Sequence, residues 1–455
     1  MNTGSSNPPR ETSLAKHKQG LAARSVAVRL ITRVIDDGRN LDALCDRVNG
    51  LKEFLSLDLR DQGLARAIAV TALRNRNHID LAMRTMMDRP PPKRARLLIH
   101  SIHAALAQIL FMDVPDSAAV NLGVTQISAD ERTARFKGLA NAVLRRATRE
   151  KERLLSEKFQ TTDPFPKWFS NRLRKDYGKK RLTTIAKAIS QRPGIDITVK
   201  SNAADWADKL DGEVLPTGGI RLKTDIPVTD LEGFNDGEWW VQDAAASVPT
   251  QLLDAEPGTS VLELCAAPGG KTAQLINSGY KVTALDISQV RLKRLQENLS
   301  RLNMKATLVQ ADILEWETEE QFDSILLDAP CSSTGTVRRH PDVLWSRTDE
   351  EIRELAELQY KLVIKSLEFL KPGGSLVFSN CSIFKEEGED LLARLLRSDL
   401  GIINQKLTPK DTFDQPALIN GQGAMRSLPD LFTDMDGALS SGLDGFFACK
   451  LVKPA

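Results

Sequence analysis

Two cysteines stand shortly after apolar runs that are typical of buried strands. Cys331 follows the run at residues 324–327, and Cys381 follows the run at residues 375–378. Because the carboxyl ends of parallel strands meet at one edge of a sheet, we expect both thiols at that edge. A thiolate there can act as a nucleophile, whereas most cysteines are small buried hydrophobic residues. The residues alone do not indicate which of the two thiols would attack.

A glycine turn lies earlier in the chain, between a strand-like run and a helix-like segment. It covers residues 262–272 and reads LELCAAPGGKT. Gly269 and Gly270 have no Cβ atom, so the backbone can bend sharply and approach a ligand closely. The end of the turn fits a phosphate-binding P-loop, but Cys265 stands where the first glycine of that motif belongs, and the dinucleotide-binding glycine pattern is absent.

Three acidic residues end three successive apolar runs after this turn. They are Asp286, Asp312 and Asp328. An acid at the tip of the second strand suits a ribose diol, although a single aspartate at such a place is often only a turn or cap residue. Together, and in this order, the three acids indicate an adenosine-type cofactor held by carboxylates.

Three segments carry a resemblance to a known family. They are residues 265–272 (CAAPGGKT), 328–335 (DAPCSSTG) and 379–382 (SNCS). In this order they resemble the signature motifs of the RsmB/NOP family of S-adenosylmethionine-dependent RNA cytosine carbon-5 methyltransferases. The likeness continues through residues 339–342 and 444–447. It implies an α/β domain with a Rossmann-like sheet.

The resemblance implies S-adenosylmethionine as the cofactor and assigns its site to the glycine turn and the three strand-end acids. The cofactor-binding residues predicted in this way are Cys265, Ala266, Ala267, Pro268, Gly269, Gly270, Lys271, Asp286, Asp312 and Asp328. We predict no metal site, since the chain has neither a Cys-x-x-Cys pair nor a histidine cluster.

Methylation of cytosine carbon 5 needs a nucleophile because that carbon is unreactive in the aromatic ring. A thiolate that adds to carbon 6 breaks the conjugation, and carbon 5 becomes enamine-like and can attack an activated methyl group. The adduct must then lose the carbon-5 proton and expel the thiol. The target base must also leave its stack before carbon 6 can be reached.

The resemblance assigns roles that the residues alone leave open. It makes Cys381 the nucleophile and Cys331 the residue that assists breakdown of the covalent adduct. It also implies that Asp328 hydrogen-bonds the cytosine ring at nitrogen 3, and that Lys271 positions Asp328 or lowers a thiol pKa.

Four further positions are notable within the motifs. Arg339 and His340 are candidates for substrate contacts. Two residues depart from the family pattern: Glu263 stands in place of the usual aspartate, and Asn380 in place of the usual threonine. Neither departure removes a group that the chemistry needs.

Composition excludes several classes of protein. The chain has 455 residues, of which 27% are charged and 41% hydrophobic, as in an ordinary globular protein. No run of 18 or more apolar residues exists, so we expect no membrane span. The five cysteines are odd in number and widely spaced, which argues against a disulfide framework. We therefore predict a cytoplasmic protein. We also predict a monomer.

Charge is distributed unevenly along the chain. Residues 1–200 hold 37 of the 62 lysines and arginines but only 20 of the 60 acidic residues. Such asymmetry favours a polyanion as partner of the front half, although solvated helix faces would give a similar pattern. Residues 151–200 are the most basic segment and interleave aromatic residues with cations, which suits RNA.

The front half predicts helices only. Apolar residues recur there at spacings of three and four, with a break at residues 90–92. Residues 61–66 and 141–146 resemble the NusB-like RNA-binding domain; a generic helical scaffold is the alternative. Residues 195–199 and 220–222 alternate like strands, which predicts a small α+β subdomain before the methyltransferase half.

The predicted fold class is therefore a multidomain protein: an all-α NusB-like helical bundle, a small α+β linker subdomain and an α/β Rossmann-like methyltransferase domain. The predicted boundaries are a flexible tail at 1–20, the NusB-like RNA-binding domain at 21–150, the basic linker and small RNA-binding subdomain at 151–235, and the catalytic domain at 236–455.

The predicted function is methylation of carbon 5 of a cytosine in small-subunit ribosomal RNA, since a NusB-like front domain with this catalytic half resembles the bacterial members that act on that RNA. The alternatives are the same chemistry on transfer RNA and a non-catalytic RNA-binding assembly or antitermination factor. An exocyclic-amine methyltransferase is disfavoured because it would need no cysteine.

Overall fold

The computed structural model describes residues 11–455 apart from 90, 93, 157–158, 160–163, 225, 254, 434–436 and 438–440. The chain forms two compact units. The first comprises the chain up to Ser170 together with His340–Arg347, and the second comprises Asn171–Arg339 and Thr348–Ala455. Of the segment predicted as a flexible tail, residues 1–10 lie outside the described residues, and the first helix begins at Glu11.

The first unit is built from helices alone over its described residues. They are α1 (Glu11–Asp37), α2 (Leu41–Leu44), α3 (Lys52–Leu55), α4 (Leu59–Arg74), α5 (Arg76–Met86), α6 (Arg96–Phe111), α7 (Asp116–Ala129), α8 (Lys137–Arg149) and α9 (Lys151–Leu155). Helix α6 is buried on all sides from His100 to Leu110, as expected of the central helix of a bundle. The predicted helical front domain is thus observed.

The segment His340–Arg347 completes the first unit although it comes from the second half of the sequence. It contains the short helix α15 (Val343–Ser346). Asp342 Oδ2 accepts a hydrogen bond from Leu41 N at 2.9 Å, and Trp345 Nε1 donates to Leu73 O at 2.9 Å. The sequence-based domain at 236–455 included this segment, because no local pattern reveals which core it joins.

Helix α10 (Lys167–Ser190) leads into the second unit and is interrupted at Gly178, whose φ is 78°. A small antiparallel sheet follows. Its elements are β1 (Ile195–Val199), α11 (Ala203–Lys209), β2 (Gly212–Val214), β3 (Ile220–Leu222) and β4 (Trp239–Val241), in the strand order β2-β3-β1-β4. Residues 239–241 were predicted to belong to the catalytic domain, but they pair with β1.

The large sheet carries the methyltransferase half. Its strands are β5 (Ser260–Leu264), β6 (Lys281–Asp286), β7 (Thr307–Gln310), β8 (Phe322–Asp328), β9 (Leu370–Asn380), β10 (Ile403–Gln405), β11 (Met425–Ser427) and β12 (Phe446–Val452). The order is β10-β12-β9-β8-β5-β6-β7, with β11 paired to β12. Strands β5 to β9 are parallel, and β12 runs antiparallel to β9.

Helices cover both faces of this sheet. They are α12 (Ala244–Gln251), α13 (Gly270–Asn277), α14 (Gln289–Arg301), α16 (Asp349–Ser366) and α17 (Glu389–Arg397). Strands β5 and β8 read as nearly continuous apolar runs because both of their faces are buried. From β5 the chain adds strands β6 and β7 on one side, and it then returns to add β8 and β9 on the other side. The point between β5 and β8 is therefore the topological switch point, where an open α/β sheet binds its ligand.

Candidate active site

The register of β8 and β9 brings the two candidate thiols to one edge. Asp328, the last residue of β8, pairs with Ser379 of β9, and Ser379 Oγ donates a hydrogen bond to Asp328 Oδ1 at 3.0 Å. The loops after these residues start side by side. The sulfur atoms of Cys331 and Cys381 are 3.4 Å apart.

The surroundings of the two thiols differ. A hydrogen bond from Cys331, a second from the Ser333 side chain and the charge of Lys271 lower the pKa of Cys381, although burial and the charge of Asp328 act against them. The hydrogen bond to Cys381 raises the pKa of Cys331, and burial and the charge of Glu387 raise it further. Of the two thiols, Cys381 therefore loses its proton more readily than Cys331.

Lys271 and Asp328 form an ion pair beside the thiols. Lys271 Nζ lies 2.7 Å from Asp328 Oδ2, and it also lies 4.9 Å from the centroid of the Phe446 ring. The lysine side chain is nearly buried, whereas 30% of the aspartate side chain is exposed. The pair thus presents a carboxylate to solvent at the strand edge while the ammonium lies behind it.

The glycine turn bends tightly against helix α14. Gly269 has φ of 101°, and a Cβ atom there would lie 2.9 Å from Leu295 Cγ. Asp286 Oδ2 accepts a hydrogen bond from Ala267 N at 3.2 Å and lies 3.2 Å from Arg291 Nη1. Asp286 is buried, so in this structure its carboxylate holds the turn in shape.

The residues of this turn fit an S-adenosylmethionine site. Glu263 Oε2 is buried and makes no hydrogen bond of normal geometry with a described residue, so a polar ligand group could pair with it. Ile287, next to Asp286, is 62% exposed and offers an apolar surface. Asp312 follows β7 at the same edge, exposed, and caps a turn by accepting from Leu314 N.

The two departures from the family pattern lie below the surface of the site. Burial raises the pKa of Glu263 to about 8, so this carboxyl is mostly protonated at neutral pH. Asn380 is fully buried; its Nδ2 donates to Glu387 O at 2.7 Å, and its Oδ1 accepts from Ser382 N at 3.0 Å. Its side chain thus joins the two ends of the loop that follows Cys381.

The structure adds side chains that the motifs did not single out. Ser379 binds Asp328, Ser333 binds Cys381, Arg291 binds Asp286, and Glu387 binds the loops of both thiols. Ser379 lies inside a motif and could have been found there. No pattern in the sequence around Glu387 indicates its role, since its partners are up to 55 residues away in sequence.

Arg339 and His340, predicted to contact substrate, are engaged in ion pairs here. Arg339 Nη2 lies 2.7 Å from Asp243 Oδ2, and its Nε lies 2.9 Å from Asp444 Oδ2. His340 Nδ1 lies 2.9 Å from Asp42 Oδ2 within the first unit. Both side chains thus have structural partners in this state.

Two kinds of feature are absent from the described part of the chain. None of its helices is long and apolar enough to cross a membrane. None of its groups of three or more histidine, cysteine, aspartate or glutamate side chains is arranged to hold a metal ion.

Comparison with known families agrees with this two-part architecture. Residues 250–452 match the family model described as 16S rRNA methyltransferase RsmB/F, and residues 21–149 match the NusB family. The chain is 35% identical to a Ribosomal RNA small subunit methyltransferase B of Shigella flexneri, over 94% of this chain and 98% of that protein. A protein of the same name from Escherichia coli O139:H28 is 34% identical over the same shares.

Solved structures have the same fold. The crystal structure of PH0851 superposes with a TM-score of 0.71 at 24% identity, over 99% of this chain and all of that chain. A methyltransferase homologue from Pyrococcus horikoshii gives a TM-score of 0.53 at 30% identity, over 64% of this chain and 95% of that chain. Together with the site and the sequence matches, these findings mean that S-adenosylmethionine is the cofactor and that the chain belongs to the RsmB/F family of methyltransferases, with a NusB-family domain in front.

Proposed function

We propose that this protein methylates carbon 5 of a cytosine in small-subunit ribosomal RNA through a covalent adduct between Cys381 and carbon 6. The observation that carries the proposal is the pair of thiols 3.4 Å apart beside the Lys271–Asp328 ion pair. A methyltransferase acting on an exocyclic amine would need neither thiol. The names of the relatives, which match nearly the whole chain, support ribosomal RNA as the substrate class.

In this proposal the cofactor is held at the glycine turn. Residues 265–271 enclose it, and Asp286, Asp312 and Asp328 lie at the ends of the strands around it. When bound, S-adenosylmethionine supplies an electrophilic methyl group on its sulfonium. The chain's own residues bind it, keep water away and orient the cytosine against it.

The addition step uses Cys381 and Asp328. The Cys381 thiolate, whose pKa is lowered by the Cys331 hydrogen bond and by other neighbours, forms a bond to carbon 6 of the extruded cytosine. The electrons of the carbon 5–carbon 6 double bond become available at carbon 5 for attack on the methyl group. Asp328 stabilises the pyrimidine ring at nitrogen 3, where charge develops.

The release step uses Cys331. The methylated adduct still carries a proton on carbon 5. A base from the solvent takes this proton, and the electron pair left behind re-forms the carbon 5–carbon 6 double bond and expels the Cys381 thiolate, which the Cys331 thiol can protonate. Cys331, beside the leaving sulfur, assists this step. The raised pKa of Cys331, which the hydrogen bond to Cys381 causes with help from burial and from Glu387, suits a group that handles a proton rather than one that attacks carbon.

The basic front half supports the RNA assignment. Residues 1–200 hold 37 of the 62 lysines and arginines, and phosphate neutralisation by such residues supplies sequence-independent affinity for RNA. The proposal includes the cytoplasm as the site of action, because the five cysteines are free thiols in the structure and a reducing compartment preserves them.

A denaturing gel tests the proposal. Cys331→Ala and Cys381→Ala are incubated separately with unmodified small-subunit ribosomal RNA and S-adenosylmethionine. We expect Cys331→Ala to accumulate a covalent RNA–protein band, because its adduct forms but breaks down slowly. We expect Cys381→Ala to form no band, because the attacking sulfur is missing.

The other outcomes are equally informative. If Cys381→Ala traps RNA and Cys331→Ala does not, the chemistry survives but the roles of the two thiols are reversed. If neither traps, wild-type methyl transfer to ribosomal and transfer RNA is measured. Transfer to transfer RNA alone would change the substrate, and transfer to neither would favour a non-catalytic RNA-binding factor.

A further inference from the structure

A cluster of fully buried polar side chains lies directly behind the two thiols. It consists of Ser332, Gln359, Asn380, Ser382 and Glu387, each with no exposed surface, and we call it the Glu387 cluster. A buried carboxylate is unfavourable unless hydrogen bonds satisfy it. Its presence next to a reactive pair of sulfurs therefore calls for a physical reason.

The Glu387 carboxylate accepts four hydrogen bonds from three residues. Its Oε1 accepts from Ser332 N at 2.9 Å and from Gln359 Nε2 at 3.0 Å. Its Oε2 accepts from Ser332 Oγ and from Ser382 Oγ, each at 2.5 Å. Bonds to an ionised acceptor are shorter and stronger than neutral ones, so this single group holds three parts of the chain firmly.

Two of the three donor residues are immediate sequence neighbours of the two thiols. Ser332 follows Cys331, and Ser382 follows Cys381. On the other side of each cysteine, Gln359 donates to Pro330 O at 2.9 Å, and Asn380 donates to Glu387 O at 2.7 Å. Each cysteine is thus flanked on both sides by residues that the cluster holds.

We propose that Glu387 is the positioning residue that holds Cys331 and Cys381 side by side. It touches neither substrate nor cofactor and acts through the two loops that it joins. The inference rests on the proposed function for its catalytic meaning, but the distance between the sulfurs can be tested without any RNA. A misplacement of about 1 Å at a reacting group can reduce a rate by about 100-fold.

The pattern of donors predicts a difference between two substitutions. In Glu387→Gln the remaining oxygen can still accept from Ser332 N and Gln359 Nε2. These two nitrogens can only donate, so they need an oxygen opposite them. The new amide can donate to the two serine hydroxyls, which can rotate and accept. Glu387→Ala removes both carboxylate oxygens, so Ser332 N loses the acceptor that it has here and the two loops lose the group that joins them.

Phenylarsine oxide reports whether the two sulfurs are adjacent. Its trivalent arsenic forms two As–S bonds with a close dithiol, and the As=O oxygen leaves as water with the two thiol protons. We expect wild type and Glu387→Gln to bind it tightly, and Glu387→Ala to bind at least about tenfold more weakly because the loops separate. Cys331→Ala, which has a single thiol at the site, defines the affinity without a pair.

Steady-state kinetics give the second measurement. We expect Glu387→Ala to lose about 100-fold in kcat for methyl transfer with KM for RNA within about threefold, and Glu387→Gln to lose less than about tenfold in kcat. The matched control is Glu386→Gln, the neighbouring glutamate, whose carboxylate pairs with Arg172 at 2.6 Å instead. We expect this control to match wild type in both measurements.

Two results would contradict the positioning role of Glu387. It is overturned if folded Glu387→Ala binds phenylarsine oxide like wild type, or if Glu386→Gln shows the same losses. If Glu387→Ala does not fold, Ser382→Ala, which removes a single hydroxyl of the cluster, must weaken arsenical binding in the same direction. If wild type binds phenylarsine oxide but methylates no RNA, the proposed function is contradicted, whereas the positioning role of Glu387 is not.

Discussion

At the scale of single residues, the two cysteines are chemically alike in sequence and unlike in space. Both follow a strand, and each has a small polar neighbour. The difference comes first from the hydrogen bond between them, which lowers the pKa of Cys381 and raises the pKa of Cys331. Charges brought in by tertiary structure add to it, because Lys271 lowers the pKa of Cys381 and Glu387 raises the pKa of Cys331.

Replacement of Lys271 by methionine tests this separation. The change removes a cation that helps to lower the pKa of Cys381 and leaves the Asp328 carboxylate, which raises it, without its ion-pair partner. We expect the pKa of Cys381 to rise, so that alkylation by iodoacetamide at a given pH becomes slower. Peptide mass spectrometry across a pH series measures each cysteine separately.

The control for this experiment is Lys281→Met, an exposed lysine at the start of β6. Its removal leaves the charges at the thiols unchanged, so its alkylation profile is expected to follow wild type. An unchanged pH midpoint for Cys381 in Lys271→Met would show that Lys271 does not act on the thiol.

At the scale of elements, the close crossing of three backbone segments fixes the thiol loops. Gly335 N donates to Cys381 O at 2.8 Å, and Gly335 O accepts from Gly445 N at 2.9 Å. A Cβ atom on Gly335 would lie 1.9 Å from Gly445 O and 2.7 Å from Cys381 O. Only glycine fits, since the neighbours are backbone atoms that cannot turn aside.

Gly335→Ala should therefore displace the Cys381 loop. We expect a loss of about 1–3 kcal/mol in the free energy of unfolding from overpacking, together with weaker phenylarsine oxide binding. Urea denaturation gives the first quantity. Gly421→Ala is the control, because Gly421 is exposed and nothing lies within 4 Å of its Cβ position. Equal stability and equal arsenical binding in the two variants would contradict the argument.

At the scale of the whole molecule, the segment His340–Arg347 belongs to the helical unit although its neighbours in sequence belong to the other. His340 pairs with Asp42 at 2.9 Å. Burial lowers the pKa of His340, but the hydrogen bond and charge of Asp42, with a contribution from Asp342, outweigh it, so the pKa of His340 is raised.

This pair predicts a pH dependence of stability. A histidine whose pKa is raised by folding stabilises the folded state fully below its unfolded pKa of about 6.5, and this contribution is lost as pH rises through the folded value. The stability advantage of wild type over His340→Gln should thus be largest below about pH 6.5 and shrink as the pH rises above it. Urea denaturation of both proteins at each pH measures it.

The other titrating groups of the unit are common to both proteins and cancel in this difference. His78, His100 and His103 have pKa values lowered by burial, so their effect lies at lower pH. An advantage of wild type that stays constant or grows with pH would rule out the ion pair as its source.

The sequence by itself determined the family and most of the elements, and it predicted the chemistry that we propose. The motif residues fixed the family, and hydrophobic periodicity predicted the helical front and strands such as β1 and β3 at their observed bounds. These features depend on short-range spacing, because a strand or an amphipathic helix repeats its pattern within a few residues. The glycine turn is likewise local, since its residues are consecutive.

Tertiary structure alone decided which side chains meet. The pairing of Asp328 with Ser379 brings two loops together whose cysteines are 50 residues apart, and Glu387 joins them from a third segment. It also assigned β4 to the small sheet and Trp345 to the helical unit. Such contacts depend on burial and on strand register across the fold. A contact between residues that are distant in sequence produces no periodic pattern in the sequence around either residue.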